Sequence, residues 1–206
     1  MIYDPTEKPF TETHKLMIGS IVPRPIAFVS TISKDGNNNV APFSYFNGVC
    51  SNPPTVMFAP ARRGWDGKEK DTLTNIRDNH EFVINMVSES FAEKMVKCST
   101  DFDPNIDEFE ISGLTPESSN KVLPPRVKES KISLECKLDQ IIEIGSGEAG
   151  SGFIVIGTVV LFHIDDDIYE NGHILLDKLE PLGRLAGNWY TRPTDKIKIA
   201  RQVKPK

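Results

Sequence analysis

The chain has 206 residues, 38% of them hydrophobic and 26% charged, an ordinary globular composition with length enough for one well-buried domain. A formal net charge of −5 and a pI near 5.4 argue against a general nucleic-acid binder, which needs a basic field, yet leave room for a local phosphate pocket. Cys50, Cys98 and Cys136 are isolated, with no CxxC, and make neither a zinc constellation nor a disulfide framework. The N-terminus has no charged-then-apolar signal pattern, and no apolar run approaches the roughly 18 residues of a membrane span. The expectation is a soluble, cytoplasmic protein with no membrane and no nucleic-acid partner.

In chain order, residues 1–10 carry two prolines and read as an extended arm. Thr11–Ile18 reads as a short helix capped by Thr11 and stopped by Gly19. His14 within it has no carboxylate or cysteine at ligand spacing and reads as a structural or surface group. Pro23-Arg24-Pro25 opens the first strand, Pro25–Ile32, which is apolar and β-branched. Arg24, held between prolines, fits either a phosphate or carboxylate contact or a solvated charge at a strand start. The turn Lys34–Asn39, with Asp35-Gly36 able to take positive φ, reverses the chain into a second strand, Val40–Phe46. Ser44–Asn52 reads as a loop of hydroxyls, amides, one glycine and two aromatics. It suits the face and edge of a flat polar ligand, or simply a hairpin connection. Asn52-Pro53-Pro54 then leads into a third strand, Thr55–Ala59.

The next stretch, Pro60–Lys70, is polar and cationic and delivers Asp71 or Thr72 as the cap of a helix over Leu73–Asn79. A helix N-terminus with Lys70 beside it favours an anion such as phosphate; the plain alternative is a capped helix behind a charged loop. Glu81–Val87 reads as a strand and Ser88–Cys98 as a helix with an apolar stripe. Residues 99–127, rich in Pro, Asp and Ser, read as a solvated excursion, and its acidic run lacks the ligand spacing of a calcium loop. Lys131–Ile144 and Phe153–Ile164 are the clearest later strands. The glycine-rich segment between them contains GxGxxG, but a strand follows it, so it is a hairpin connection and no dinucleotide fingerprint. His163 before Asp165-Asp166-Asp167 is a poor metal site, because consecutive aspartates diverge on a strand. Residues 195–206 form a basic tail.

Taken together, Pro23–Ala27 with Ser30-Thr31, Ala41–Ser44 with Phe46-Asn47, Ser51–Pro54, Lys70–Thr72 with Asn75, and Leu182–Leu185 with Gly187 and Tyr190 resemble the flavin reductase-like family. The likeness is to its flavoredoxin-like branch, and the motifs run in order over nearly the whole chain. The resemblance implies a mainly β fold, the FMN-binding split barrel of Greek-key type with peripheral α-helices, spanning 1–206 as a single domain. It also implies a homodimer with FMN near the subunit interface. By that resemblance Arg24 lies beside the flavin, and Ser44, Phe46, Asn47, Gly48, Val49, Cys50, Ser51 and Asn52 surround the isoalloxazine. Lys70, Asp71 and Thr72, with Arg62 or Arg63, meet the phosphate, while Arg184 and Tyr190 close the pocket or its dimer wall. No side chain is expected to be catalytic, because the chemistry belongs to the cofactor. Electrons would come from NAD(P)H or a redox protein partner and pass to a flavin or other acceptor. A non-catalytic FMN carrier or sensor, or a scaffold for haem or a deazaflavin, is the alternative.

Overall fold

A computed structural model describes residues 1–103 and 105–202, so the last part of the basic tail, 203–206, lies outside the described residues. The arm is not wholly extended: Pro5–Glu7 makes a 3-10 turn whose cap, Asp4, accepts from the Thr6 amide at 2.8 Å and the Thr6 hydroxyl at 2.7 Å. Helix α1 (Phe10–Ser20) begins behind Pro9 rather than at a Thr11 cap and runs through Gly19. The Pro9 carbonyl takes the amides of Glu12 and Thr13, which starts the helix without a side-chain oxygen.

Strands β1 (Ala27–Ile32), β2 (Asn38–Phe43), β3 (Phe46–Ser51) and β4 (Pro54–Phe58) follow, then α2 (Asp71–Asn79) and β5 (Glu81–Met86). After β5 come α3 (Ala92–Lys97), α4 (Glu108–Ser112) and the short pair β6 (Pro116–Glu117) and β7 (Arg126–Val127). Two 13-residue strands, β8 (Ile132–Ile144) and β9 (Gly152–Ile164), complete the main sheet. The remainder is β10 (Tyr169–Glu170) paired with β11 (His173–Ile174), α5 (Leu176–Leu179), and β12 (Gly183–Arg184) paired with β13 (Tyr190–Thr191).

Seven antiparallel strands pair in the order β2-β1-β5-β8-β9-β4-β3. Its two edge strands, β2 and β3, are consecutive in the chain and joined only by Ser44 and Tyr45. A corner that short obliges the sheet to curl until its edges are neighbours, which makes a split barrel. The stretch read as a loop over Ser44–Asn52 is therefore mostly strand: Phe46 pairs with Phe58 and Ser51 with Pro54, across a bulge between Gly48 and Cys50. Tertiary pairing with β4 overrides the turn-forming character of those residues.

Alternation along β1 sorts the two cores. Ala27 and Val29 enter the barrel with Phe43, Phe58, Phe82 and Ile84, and Leu73 and Ile76 of α2 pack into the same cluster. The Phe58 ring sits 5.1 Å from that of Phe43 and 5.6 Å from that of Phe82. Gly157 of β9 lets the Phe82 ring approach so closely that a Cβ there would lie 2.6 Å from it. Ile26 and Phe28 face outward, against Phe91, Met95, Phe109, Leu114 and Val127.

That outer core corrects the reading of 99–127 as a solvated insertion, because Phe109, Leu114 and Val127 are buried in it. Barrel side chains also fasten the segment's backbone. Asn85 accepts from the Val127 amide, Glu81 from Leu123, and the fully buried Glu135 from the amides of Asn120 at 2.7 Å and Lys121 at 2.6 Å. The helix read over Ser88–Cys98 is a 3-10 turn, Glu89–Phe91, followed by α3. Ser88 bridges to Pro181 and does not cap it.

His163 stands 2.6 Å from Glu135 and so belongs to this clamp. Burial pushes the Glu135 carboxyl up, but the Asn120 amide, His163 and the Lys121 amide outweigh it and hold it below its ordinary 4.5. A depressed carboxylate stabilises the fold above its unfolded-state pKa and loses that contribution as pH falls through the folded value. Wild type is therefore expected to exceed Glu135→Gln by about 2 kcal/mol in denaturant titrations at pH 7. The two curves should converge as pH drops below 4.5; parallel curves would show that the carboxylate charge is not what holds the segment.

Candidate functional site

Helix α2 starts at Asp71 with Lys70 as its N-cap, and neither Asp71 nor Thr72 caps it. Both side chains are engaged elsewhere: the Thr72 hydroxyl donates to Asn39 Oδ1 at 2.8 Å, and the Asp71 carboxylate accepts from Arg63 Nη2 at 3.1 Å. The leading amides of the helix thus have no side-chain acceptor, which leaves its positive end for an anion. They open on a narrow cleft of about 40 Å³ walled by β2 (Asn39, Ala41, Phe43), by Arg63, Lys70 and Thr72, and by Ser99, Thr100 and Asp101 beyond α3.

Lys70 Nζ lies 2.6 Å from Asp101, so both cations of the cleft have an acid at hand. Burial pushes the Asp101 carboxyl up, yet the hydrogen bond and charge of Lys70, helped by Trp65 and Arg63, hold it below the usual range. Arg63 Nε is buried in the structure with no hydrogen-bond partner. Arg62 is turned the other way, to Glu143 at 2.6 Å with its guanidinium over the Phe153 ring, and does not line the cleft. Trp65 is 73% exposed.

Along β2 the cleft adjoins a wider groove of about 450 Å³, and the two share Pro42 and Ser99. This wider end is walled by Ile26, Ser44, Met95, Val96, Arg184, Asn188 and Tyr190. The Arg184 guanidinium stacks 4.5 Å over the Tyr190 ring across the β12–β13 pair and donates to the Gly187 carbonyl. Among the described residues no carboxylate lies within ion-pair distance of Arg184.

Arg24 is only 4% exposed and sits behind this groove rather than in its wall. Its guanidinium donates to the carbonyls of Ile18 and Ile21, both at 2.7 Å, to the Leu185 carbonyl at 3.1 Å and to the Ser44 hydroxyl at 3.2 Å. Arg24 ties the end of α1, the segment after β12 and the β2–β3 corner together. Of Ser44–Asn52, only Ser44 lines the groove. Phe46 packs half-buried on the barrel core, while Asn47, Gly48, Val49, Cys50, Ser51 and Asn52 lie exposed on or beside the edge strand. Sequence reasoning missed Asn39, Ser99, Thr100 and Asn188. Ser99-Thr100 directly after a helical stretch was the signal available, whereas Asn39 looked like a turn residue.

The groove joins a cationic, amide-rich end to a wider end of apolar, aromatic and polar groups, the division a phosphorylated ring compound requires. Residues 18–183 match the family described as flavin reductase like domain, and the chain belongs to that family. An uncharacterized protein of Aquifex aeolicus is 43% identical over 187 residues, 90% of this chain and 92% of its own length. Among solved structures, nitrilotriacetate monooxygenase component B from Bacillus cereus superposes with a TM-score of 0.92 at 36% identity, over 97% of this chain and 98% of its own. The 2-nitrobenzoate 2-nitroreductase NbaA of Pseudomonas fluorescens gives a TM-score of 0.86 at 32% identity, over 98% and 96%. A flavoredoxin of Desulfovibrio vulgaris shares the fold, at a TM-score of 0.73 and 23% identity, over 87% of this chain and 92% of its own. Among the described residues no helix is long and apolar enough to cross a membrane.

Proposed function

We propose that the protein is an FMN-dependent oxidoreductase that takes electrons from NAD(P)H or a protein donor and passes them to a flavin or another acceptor. The observation that carries this reading is the adjacency of a cationic cleft and a wider groove, with Pro42 and Ser99 in the walls of both. The donor set fits FMN. Lys70, the α2 amides and Arg63, with its unpartnered Nε, would hold the phosphate, and Ser44, Asn188, Arg184 and Tyr190 would hold the ring and its edge. Bound FMN supplies two-electron and one-electron redox chemistry, so the side chains need only bind, orient and shield it. Arg184 contributes an uncompensated positive charge beside the ring, suited to electron-rich flavin or to an anionic reactant.

A homodimer is part of the proposal. Helix α1 buries none of its residues and exposes Leu16 and Met17, with Ile21 and Val22 just beyond it, and β3 leaves an unpaired edge with Val49 exposed. A second copy would cover both, as sheet edges and apolar faces demand. The neighbour from Bacillus cereus is one component of a monooxygenase, which makes a protein acceptor a natural candidate here as well.

Anaerobic titration of the FMN-reconstituted protein with NADH, then NADPH, tests the activity. Bleaching of the bound-flavin absorbance, followed by repeated turnover when an acceptor is added, is expected. A bound flavin that neither donor bleaches would replace the reductase reading by that of a carrier served by a protein donor. Failure to retain FMN would overturn the site.

A further inference from the structure

Glu108 opens α4 and is 6% exposed, yet no cation neutralises it among the described residues. It sits in the wall of the narrow cleft that Thr72 also lines. One of its oxygens, Oε2, accepts from the Val40 amide at 3.2 Å, and the other, Oε1, accepts from Asn39 Nδ2 at 3.0 Å. An ionised carboxylate can only accept, so it compels Asn39 to turn its NH2 toward α4 and its carbonyl oxygen toward α2. That oxygen then accepts from two hydroxyls, Thr31 at 3.1 Å and Thr72 at 2.8 Å, and Thr31 in turn accepts from Asn75. The single hydroxyl proton of Thr72 is thereby committed inward, and only lone pairs of that oxygen are left for whatever occupies the cleft.

We propose that Glu108 is a positioning residue that, through Asn39, decides whether Thr72 offers the cleft a hydrogen-bond acceptor or a donor. The Val40 amide is a fixed donor, so a group that must donate from the position of Oε1 forces Asn39 to flip. Its carbonyl then accepts from residue 108 and its NH2 donates to Thr31 and Thr72. The Thr72 proton is released into the cleft, where it can donate to a phosphate oxygen. Glu108→Gln does this permanently, because its carbonyl must meet the Val40 amide and its NH2 must meet Asn39. Protonation of Glu108 does the same reversibly, and it also removes a negative charge from the wall of an anion site.

Burial pushes the Glu108 carboxyl above the usual range, against the Val40 amide and Asn39, and neighbouring Asp107 adds to the rise. Few other groups compete for that titration. Beta strand β2 presents Asn38 and Asn39, both neutral, to α4. Cys98, at the end of α3, has a thiol pushed up to about 11 by burial and stays neutral. Lys70, Arg63, Asp71 and Asp101 share the cleft, where the two acids are paired with the two cations.

The inference rests on the phosphate of FMN occupying the cleft, and its test separates the two. FMN and riboflavin, which lacks the phosphate, are titrated by fluorescence into wild type, Glu108→Gln, Thr72→Val and the double variant, from pH 5 to 8. At pH 8 Glu108→Gln is expected to bind FMN about tenfold more tightly than wild type, with riboflavin unchanged, since a hydrogen bond to a charged group is worth roughly that factor. Wild type should approach the variant as pH falls through the Glu108 titration, and in the Thr72→Val background the gain should shrink to the smaller, salt-sensitive part that comes from removing the carboxylate's charge. An unchanged FMN-to-riboflavin ratio, or a gain undiminished by Thr72→Val, overturns the relay. If wild type binds neither flavin, the flavin reading fails, and inorganic phosphate becomes the probe. A larger phosphate-induced rise in Tm for Glu108→Gln than for wild type supports the relay, and an equal rise overturns it. Should Glu108→Gln not fold, the affinity of wild type for FMN relative to Thr72→Val must rise as pH falls; a flat ratio overturns the proposal.

Discussion

Arg24→Met is expected to lower the unfolding free energy by about 3 kcal/mol and, in the same variant, to weaken riboflavin and FMN alike. The guanidinium ends on three backbone carbonyls and the Ser44 hydroxyl, with the Tyr45 ring 5.9 Å from its carbon. It draws together α1, the β2–β3 corner and the segment after β12 through the hydrogen bonds of one side chain. Methionine fills much of the volume but leaves those acceptors without a donor, and the loss of several charge-assisted bonds is not offset by dispersion. Because Ser44 and Arg184 line the wide end of the groove, loosening their support should cost ring affinity irrespective of the phosphate. Denaturant unfolding gives the stability. Flavin titration decides the role: a selective loss of FMN over riboflavin would place Arg24 on the phosphate instead.

Lys70→Met carries the second large effect, on the order of a tenfold to hundredfold loss of FMN affinity with riboflavin changed by less than about twofold. The substitution removes the cation nearest the α2 amides and leaves Asp101, 2.6 Å away in wild type, as an uncompensated acid in the same cleft. Asp101→Asn in the wild-type background should act in the opposite direction, tightening FMN by releasing Lys70, and should flatten the salt dependence less than Lys70→Met does. Equal losses for both flavins in Lys70→Met would remove the phosphate from this end of the groove.

Much of the barrel was legible in the sequence because its strands are written in a local code. Pro25–Ile32, Glu81–Val87 and the two long later segments alternate or run apolar, and observed strands fall within them to a residue or two. The rejection of GxGxxG was likewise local, since a strand, β9, follows it. Three of the misreadings share one cause. Ser44–Asn52 has turn composition yet pairs as β3, Asp71 and Thr72 are cap residues whose side chains are claimed by Arg63 and Asn39, and the acidic excursion carries Phe109 and Val127 into a second core. In each, a partner outside the segment outcompetes the local preference.

The site divides in the same way. Lys70 beside a helix start announces an anion site from spacing alone, because amide dipoles and a fixed positive charge are adjacent in sequence. Nothing local distinguishes Arg62, turned to Glu143, from Arg63 in the cleft, or Arg24 as a buried tie from Arg24 as a ligand contact. Those roles are set by which carbonyls and carboxylates the closed barrel brings within about 3 Å, a distance at which a guanidinium's direction is chosen. The alternation of residues determined that a β-rich chain would bury two faces, and the motifs determined its family. The wall shared by the phosphate-sized cleft and the ring-sized groove, and the Glu108–Asn39–Thr72 chain at its narrow end, exist only once β2, α2 and α4 have packed together. Their members come from positions 39, 72 and 108, and hydrogen-bond polarity is a property of the assembled network.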